Sequence, residues 1–394
     1  MRLTNKFLIG FMTIAACGCG QKQSDNPLLN EFTTPYGIAP FEEITIDNYR
    51  EGILLGMEEQ KAEIEAIINN PEEPTFQNTI VAMDQSGKLL RKVRGTFSPL
   101  TSSNSTEESR ALEKELSPLM SAHSDDINLN EKLFARVKKV YDNRDNIKLT
   151  PEEKTVLENI YKRFVNSGAE LNDEQKAKLR ELNQQLSMLE LTFSQNLLHE
   201  TNNTFVVANS LEELKGLPQE NIDAAAKMAA DNGQPGKWMF NMQRPSCNPV
   251  LQYCENRDLR KKVYDAYYNR GNTGNEYDSK EVCLQLVTLR LEKAKLMGYN
   301  NYAEMVLEDR MAKTPEAVFN LLDQVWEPAV AKAKEELDDI RAEIIELVCH
   351  NVQLCVFLVA YAAKEEHIRF ILGGCLDKLL EFLVVLLQKL VCLH

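Results

Sequence analysis

The sequence predicts an all-α protein: a multi-helical antiparallel bundle carrying one small two-stranded β patch. Three observations carry that expectation. Apolar residues recur three and four apart over long stretches, clearest at Leu179, Leu182, Leu186, Leu189, Phe193 and Leu197, the spacing that lines one face of a helix and packs it on another. Helix starts are written in cap chemistry, as at Thr150-Pro151-Glu152-Glu153: a hydroxyl cap, a proline where no backbone N–H is needed, and a glutamate placed to reach back. Strand-like runs are confined to Thr204–Val207 and Trp238–Met242, which can pair.

Taken in order, the chain opens with Arg2 and Lys6 ahead of an apolar run, Phe7 to Ala16, too short to span a bilayer as a helix. Ile14-Ala15-Ala16-Cys17 has the form of a bacterial lipobox. Residues 1–16 therefore read as a lipoprotein signal peptide, Cys17 as the lipid attachment site and residues 17–33 as a polar tether; a simple secretory signal is the alternative. Either reading places the mature chain in a bacterial cell envelope, facing the periplasm or the cell surface. The lipid would be its only hold on the membrane.

Helices then follow closely. The first is expected from Asp47 to Asn69, with Tyr49, Ile53 and Ile64 on its apolar side, broken by Pro71 and Pro74. Thr75 opens a second, expected to run through Phe76, Ile80, Met83, Leu90 and Val93. Ser105 and Glu108 suggest a capping box, Gly168 ends the helix begun at Pro151, and the longest helix spans Asp173 to His199. A capped turn at Ser210, an Ala-rich helix from Asn221 to Ala230 and a Gly233–Gly236 loop separate the two strands. Pro245 and Pro249 turn the chain into a helix expected from Leu251 to Tyr267 and stopped at Gly271. Gly298 closes the next, which carries Leu286, Leu289 and Leu296; Thr314-Pro315 starts the last, and Pro328 should kink it.

A net charge of −14, with no block of lysines and arginines to offset it, excludes a nucleic-acid partner. Nine cysteines include no CxxC pair, and Cys247, Cys254 and Cys283 read as small core residues. The most demanding chemistry to look for is a zinc helix, HExxH, where two histidines four apart hold the metal and the glutamate activates its water. Five histidines are present, and the nearest approach is His199-Glu200-Thr201-Asn202-Asn203, with an amide where the second imidazole belongs. It reads as a solvated helix end. A late set, Cys349, His350, Cys355, His367, Cys375, Cys392 and His394, lacks zinc-finger spacing. Neither a Gly-x-Ser-x-Gly elbow nor a glycine-rich phosphate loop occurs.

One set of motifs is more specific. Phe240-Asn241-Met242-Gln243-Arg244-Pro245-Ser246, Gln252-Tyr253-Cys254-Glu255-Asn256-Arg257 and Tyr268-Asn269-Arg270-Gly271 resemble the thimet-oligopeptidase-like zinc metallopeptidases, and most of all their bacterial peptidyl-dipeptidase (dipeptidyl carboxypeptidase) branch. The likeness also takes in Asn26-Pro27-Leu28-Leu29, Pro74–Ile80, Leu289–Ala294 and Met311–Pro315, covers residues 26–344, and is not traced past Ile344. The resemblance implies a two-lobed helical metallopeptidase that releases C-terminal dipeptides from oligopeptides with one zinc. Residues 34–236 would be its N-terminal helical lobe and residues 237–344 the beginning of its catalytic domain. No catalytic or metal-binding residue is carried over, because the motif that would bear them is not found. The expectation is therefore a truncated member, without a cofactor of its own and inactive alone, with oligopeptides and a separate catalytic half as partners. A non-catalytic peptide-binding lipoprotein is the alternative. Residues 345–394 form an apolar tail unlike the family, with leucines from Leu376 to Leu390 at helical spacing.

Overall fold

The structure, a computed structural model, describes residues 24–364, with side chains through Glu346. The signal segment, Cys17 and the leucines after residue 375 lie outside the described residues, as do His367, Cys375, Cys392 and His394. The chain divides into two compact units, the first ending at Met305 and the second beginning at Val306.

In the first unit, α1 (Ile46–Ile68) starts on Thr45, whose hydroxyl accepts from Asn48 N while Asn48 bonds back, a full capping box. Thr75 caps the following segment in the same way, but that segment is not the single helix the apolar spacing suggests. Phe76–Val81 winds as a π-helix, continues as α2 (Ala82–Gln85), and breaks before α3 (Lys88–Ser103). The break falls at Gly87, which takes φ +68° with its N–H held by Glu63, a conformation open to glycine at little cost. The next helix, α4 (Glu107–Asn128), is capped one residue later than expected: Thr106 accepts from Ser109 N, and the Ser109 hydroxyl answers Thr106 N. A helix absent from the sequence reading, α5 (Glu131–Asp142), follows on an Asn130 cap. Then α6 (Pro151–Asn166) begins on the expected Thr150–Glu153 box, and Gly168 follows it at φ +93°.

Packing produces three buried clusters among the described residues. Leu28, Tyr49, Ile53, Val93 and Leu112 join α1, α3 and α4. Ile67, Ile80, Leu133, Leu157 and Phe164 join α1, the π-helix, α5 and α6. The third lies around the strands. Gly56 lets α1 and α3 approach closely, since a Cβ there would meet the Leu90 backbone at 2.8 Å.

The long helix α7 (Asp173–Asn203) buries Leu179, Leu182 and Leu186 against its neighbours α4 and α11 (Lys280–Leu296), while Leu189, Phe193 and Leu197 are half-buried. It extends a turn past His199, so the expected helix end there is corrected. β1 (Phe205–Ala208) leads through a 3-10 turn to α8 (Gln219–Asp231), then to β2 (Trp238–Asn241); the strands pair antiparallel with Phe205 opposite Asn241. Pro245 opens α9 (Arg244–Tyr253) instead of ending a strand run. The helix expected to be continuous from Leu251 to Tyr267 is two, α9 and α10 (Arg257–Tyr268). Cys254 is extended (φ −64°, ψ 127°), and the Asn256 side chain recaps the chain by accepting from Asp258 N and Leu259 N. Cys247 and Cys254 are core residues with Met242, Phe240 and Val263. Cys283 is not: in α11 (Lys280–Leu296) it is exposed, one turn before buried Leu286. The short α12 (Tyr302–Leu307) follows.

In the second unit, α13 runs from Pro315 to Lys364, with Pro328 inside it. The helix thus continues past Ile344 into the segment read from sequence as an apolar tail. Among the described residues no helix is long and apolar enough to cross a membrane.

Candidate functional site

Two constructions in the first unit bear on function. The nearest approach to a zinc motif sits on the last turns of α7, and the structure gives each of its residues another task. Glu200 is 2% exposed. Its carboxylate accepts from Gly271 N, from the Thr273 hydroxyl and from Asn275 Nδ2 at 2.8 Å. Burial alone would raise its pKa; the three hydrogen bonds outweigh that and hold it below the usual glutamate value. His199 stacks on Tyr277 with ring centroids 3.6 Å apart. Asn203 donates its amide to the His199 carbonyl at 3.1 Å. The expected solvated helix end is therefore corrected at Glu200, which is a buried anchor for the loop after α10.

Two of the motifs that carried the family likeness, 240–246 and 268–271, converge on the same turns, while the third is held by residues 213–215 through Glu255 N to Lys215 O at 2.7 Å. Met242 N donates to Thr201 O at 3.0 Å, and Gln243 Nε2 to Asn202 Oδ1 at 2.7 Å. Arg270 Nη1 donates to the Thr201 hydroxyl at 2.8 Å while its guanidinium lies 4.0 Å from the Tyr267 ring centroid. Asp278 closes the loop, accepting from Gly274 N and from the Lys280 backbone and ammonium, which draw its pKa down to about 2. These motifs do a structural job: they dock the strand–helix segment 238–279 onto the end of α7.

The second construction is a recess of about 880 Å³ bounded by α1, α3, α4, α6, α7 and α11. Asp125, 7% exposed, accepts from Asn183 Nδ2 at 2.8 Å, and Lys293 Nζ donates to Asn183 Oδ1 at 2.7 Å. One amide thus separates a buried carboxylate from an ammonium. Burial pushes Asp125 up and Lys293 down from their ordinary values. His123 donates to Gln60 Oε1 at 2.8 Å, and burial lowers its pKa, favouring neutral imidazole. Arg94 and Arg163 also line the recess, with serines 98, 117, 121, 124, 167 and 187. Such a lining offers both signs of charge and many hydroxyls, which suits a zwitterionic, hydrogen-bonding occupant more than an apolar one.

Sequence reasoning missed these residues, although a signal existed. Asn183 is four residues after Leu179 and three before Leu186, Lys293 four after Leu289 and three before Leu296, and Glu200 three after Leu197. Each polar side chain occupies a core-facing register position, where it must find a partner or remain costly.

The residues present do not fit a zinc ion at the His199 turn. The glutamate is consumed by loop hydrogen bonds, and the fourth-residue position holds an amide already bonded to backbone. Among the described residues no three His, Cys, Asp or Glu side chains converge as a metal site. Cys349, His350 and Cys355 fall on the α13 backbone beyond the described side chains.

A helical scaffold with one strand pair, two docked motifs and an amphoteric recess defines the class. Comparison with known proteins then gives the family. Residues 250–354 match the model of Peptidase family M3, a match that extends past Ile344 into the segment read from sequence as unlike the family. The chain is 35% identical over 319 residues to the dipeptidyl carboxypeptidase of Escherichia coli, covering 81% of this chain and 47% of that protein. It is 33% identical over 318 residues to the dipeptidyl carboxypeptidase of Salmonella typhimurium, and 30% identical over 320 residues to oligopeptidase A of Haemophilus influenzae, covering 81% and 80% of the chain and 47% and 46% of those proteins. The chain belongs to peptidase family M3. It spans about half the length of the curated relatives it matches.

Proposed function

We propose that this chain is the peptide-receiving helical portion of a peptidyl-dipeptidase-type peptidase, and that it does not hydrolyse peptides unaided. The observation that carries this reading is the engagement of Glu200: buried and bound by three donors from the loop after α10, its carboxylate anchors that loop and is withheld from solvent. The likeness to dipeptidyl carboxypeptidases over most of this chain supports oligopeptides as the substrate class. Zinc, implied by the resemblance, would be held by residues outside those described here. Cys17 would carry a lipid that tethers the chain to the cell envelope.

The test uses the purified chain and a quenched fluorescent oligopeptide with a free C-terminus. Alone, with or without added zinc, it should give no turnover; with a separately supplied polypeptide bearing HExxH, dipeptide release should appear and be abolished by a chelator. Chelator-sensitive turnover by the chain alone overturns the reading. A second reading, a non-catalytic peptide-binding lipoprotein, is favoured by the recess, whose lining of both charges suits peptide termini. It predicts peptide binding, measured by anisotropy, that no added polypeptide converts into cleavage. Incorporation of labelled fatty acid, lost in Cys17→Ala, tests the anchor.

A further inference from the structure

The recess of the first unit carries both signs of charge, but the two signs are not equally engaged. All of its lining residues fall between Ile53 and Tyr302, on helices of that one unit. Glu190 accepts from Arg290 Nη2 at 2.8 Å, and Asp125 accepts from Asn183. Glu113 is the one acidic lining residue without a hydrogen bond or ion pair among the described residues. The basic members are in the reverse condition. Arg94 on α3 and Arg163 on α6 make no side-chain hydrogen bond or ion pair among the described residues. Lys293 spends one of its three N–H donors on Asn183.

Arg163 is the more telling of the two arginines. It also lines a smaller cavity of about 330 Å³, which shares Gln60 and Ile127 with the recess, so it stands in the wall between the two spaces. Protein crowds it enough that burial lowers its pKa, against the pull of the Asp84 carboxylate. A guanidinium nonetheless stays charged at neutral pH, and a crowded one without an acceptor is costly. Hydroxyls accompany both arginines. Ser98 lies four residues after Arg94, and Ser167 four after Arg163, the spacing that sets two side chains on one helix face. All four line the recess, and neither hydroxyl makes a hydrogen bond among the described residues.

Forked guanidinium donors meet phosphate or carboxylate oxygens in pairs, while hydroxyls and an ammonium reach the oxygens that remain. We propose that the recess is a binding site for a small multivalent oxyanion, of the phosphate or polycarboxylate kind, gripped by Arg163 and Arg94 with Ser167 and Ser98. The site is separate from the Glu200 turn and does not depend on peptide hydrolysis. In a chain of net charge −14 there is no general attraction for anions, so retention of one reports these local cations.

The test is calorimetric titration of the full chain, in mild detergent and a low-salt buffer free of phosphate, with inorganic phosphate and separately with citrate. At least one should bind saturably, one per chain, and more weakly as salt is raised. Binding of phosphate alone assigns the phosphate class, of citrate alone the polycarboxylate class, and of both an unselective oxyanion site. Arg163→Gln should weaken binding by roughly tenfold or more, and Arg163→Lys, which keeps the charge but loses the fork, by less. Arg310→Gln, which removes the same charge from an exposed position in the second unit, should change it little. Without anion, Arg163→Gln should melt no lower than wild type, because it loses no native hydrogen bond and sheds a crowded charge. Saturable binding of neither anion overturns the proposal. So does binding that Arg163→Gln leaves unchanged or that Arg310→Gln weakens as much, or a markedly lower melting point of anion-free Arg163→Gln, which would make Arg163 a structural residue.

Discussion

Glu200, on the last turns of α7, holds the backbone amide of Gly271 from 71 residues further along the chain. That contact converts what would be a helix end into the fixed point for the loop between α10 and α11. Glu200→Gln keeps one acceptor for Gly271 but turns an NH2 toward both Thr273 and Asn275, leaving a buried donor facing the Asn275 amide donor. A loss of about 1–3 kcal/mol is expected, read as a lower urea midpoint.

The same loop should set part of the acid sensitivity. Glu200 lies below its ordinary pKa, and Asp278 lies at about 2 against 3.8. Carboxylates with lowered folded-state values stabilise fully above their unfolded pKa and lose that contribution as pH falls through the folded one. Stability should therefore drop between about pH 4.5 and 2, and Glu200→Gln should flatten the slope. An unchanged slope in the variant would refute the assignment.

Asp125 should behave in the opposite sense. Its raised pKa means that the folded state holds the proton longer than the unfolded chain, so its ionisation lowers stability as pH rises above the unfolded value, until the folded pKa is passed. Asp125→Asn removes that decline while keeping an acceptor for Asn183. The variant should gain on wild type as pH rises above the ordinary aspartate value of 3.8, in paired chemical denaturations.

Two glycines separate backbone strain from steric clash. Gly271 has φ +75°, and a Cβ there would meet only Ser279 at 3.5 Å, an ordinary contact. Gly271→Ala should destabilise by the left-handed backbone term alone, about 1–2 kcal/mol. Gly216 has φ +91°, and its Cβ would lie 2.2 Å from the Tyr253 carbonyl oxygen. Gly216→Ala should exceed about 3 kcal/mol, because rigid backbone must move as well. Thermal midpoints of the two variants decide the order.

Phe164 is fully buried and stacks on Phe134 with centroids 5.8 Å apart. Phe164→Ala should cost about 3–5 kcal/mol. The change should show as a fall in denaturant midpoint with little change in slope.

The sequence by itself determined what is local and repetitive. The α7 seam, the Thr150–Glu153 box, the strand pair of Phe205–Ala208 with Trp238–Asn241, and buried Cys247 and Cys254 all follow from periodicity, cap chemistry and residue size, which act within a few residues. Tertiary structure alone decided the rest. The single helix expected after Thr75 is divided at Gly87, whose amide is held by Glu63 from another helix. The helix expected from Leu251 is divided at Cys254 and restarted by Asn256. Glu200, read as solvated, is buried because its three donors arrive from a loop distant in sequence. Asp125, Asn183 and Lys293 meet only when α4, α7 and α11 pack. A polar group's environment is set by what folds over it, and spacing along one helix carries no information about the donors that another segment will bring.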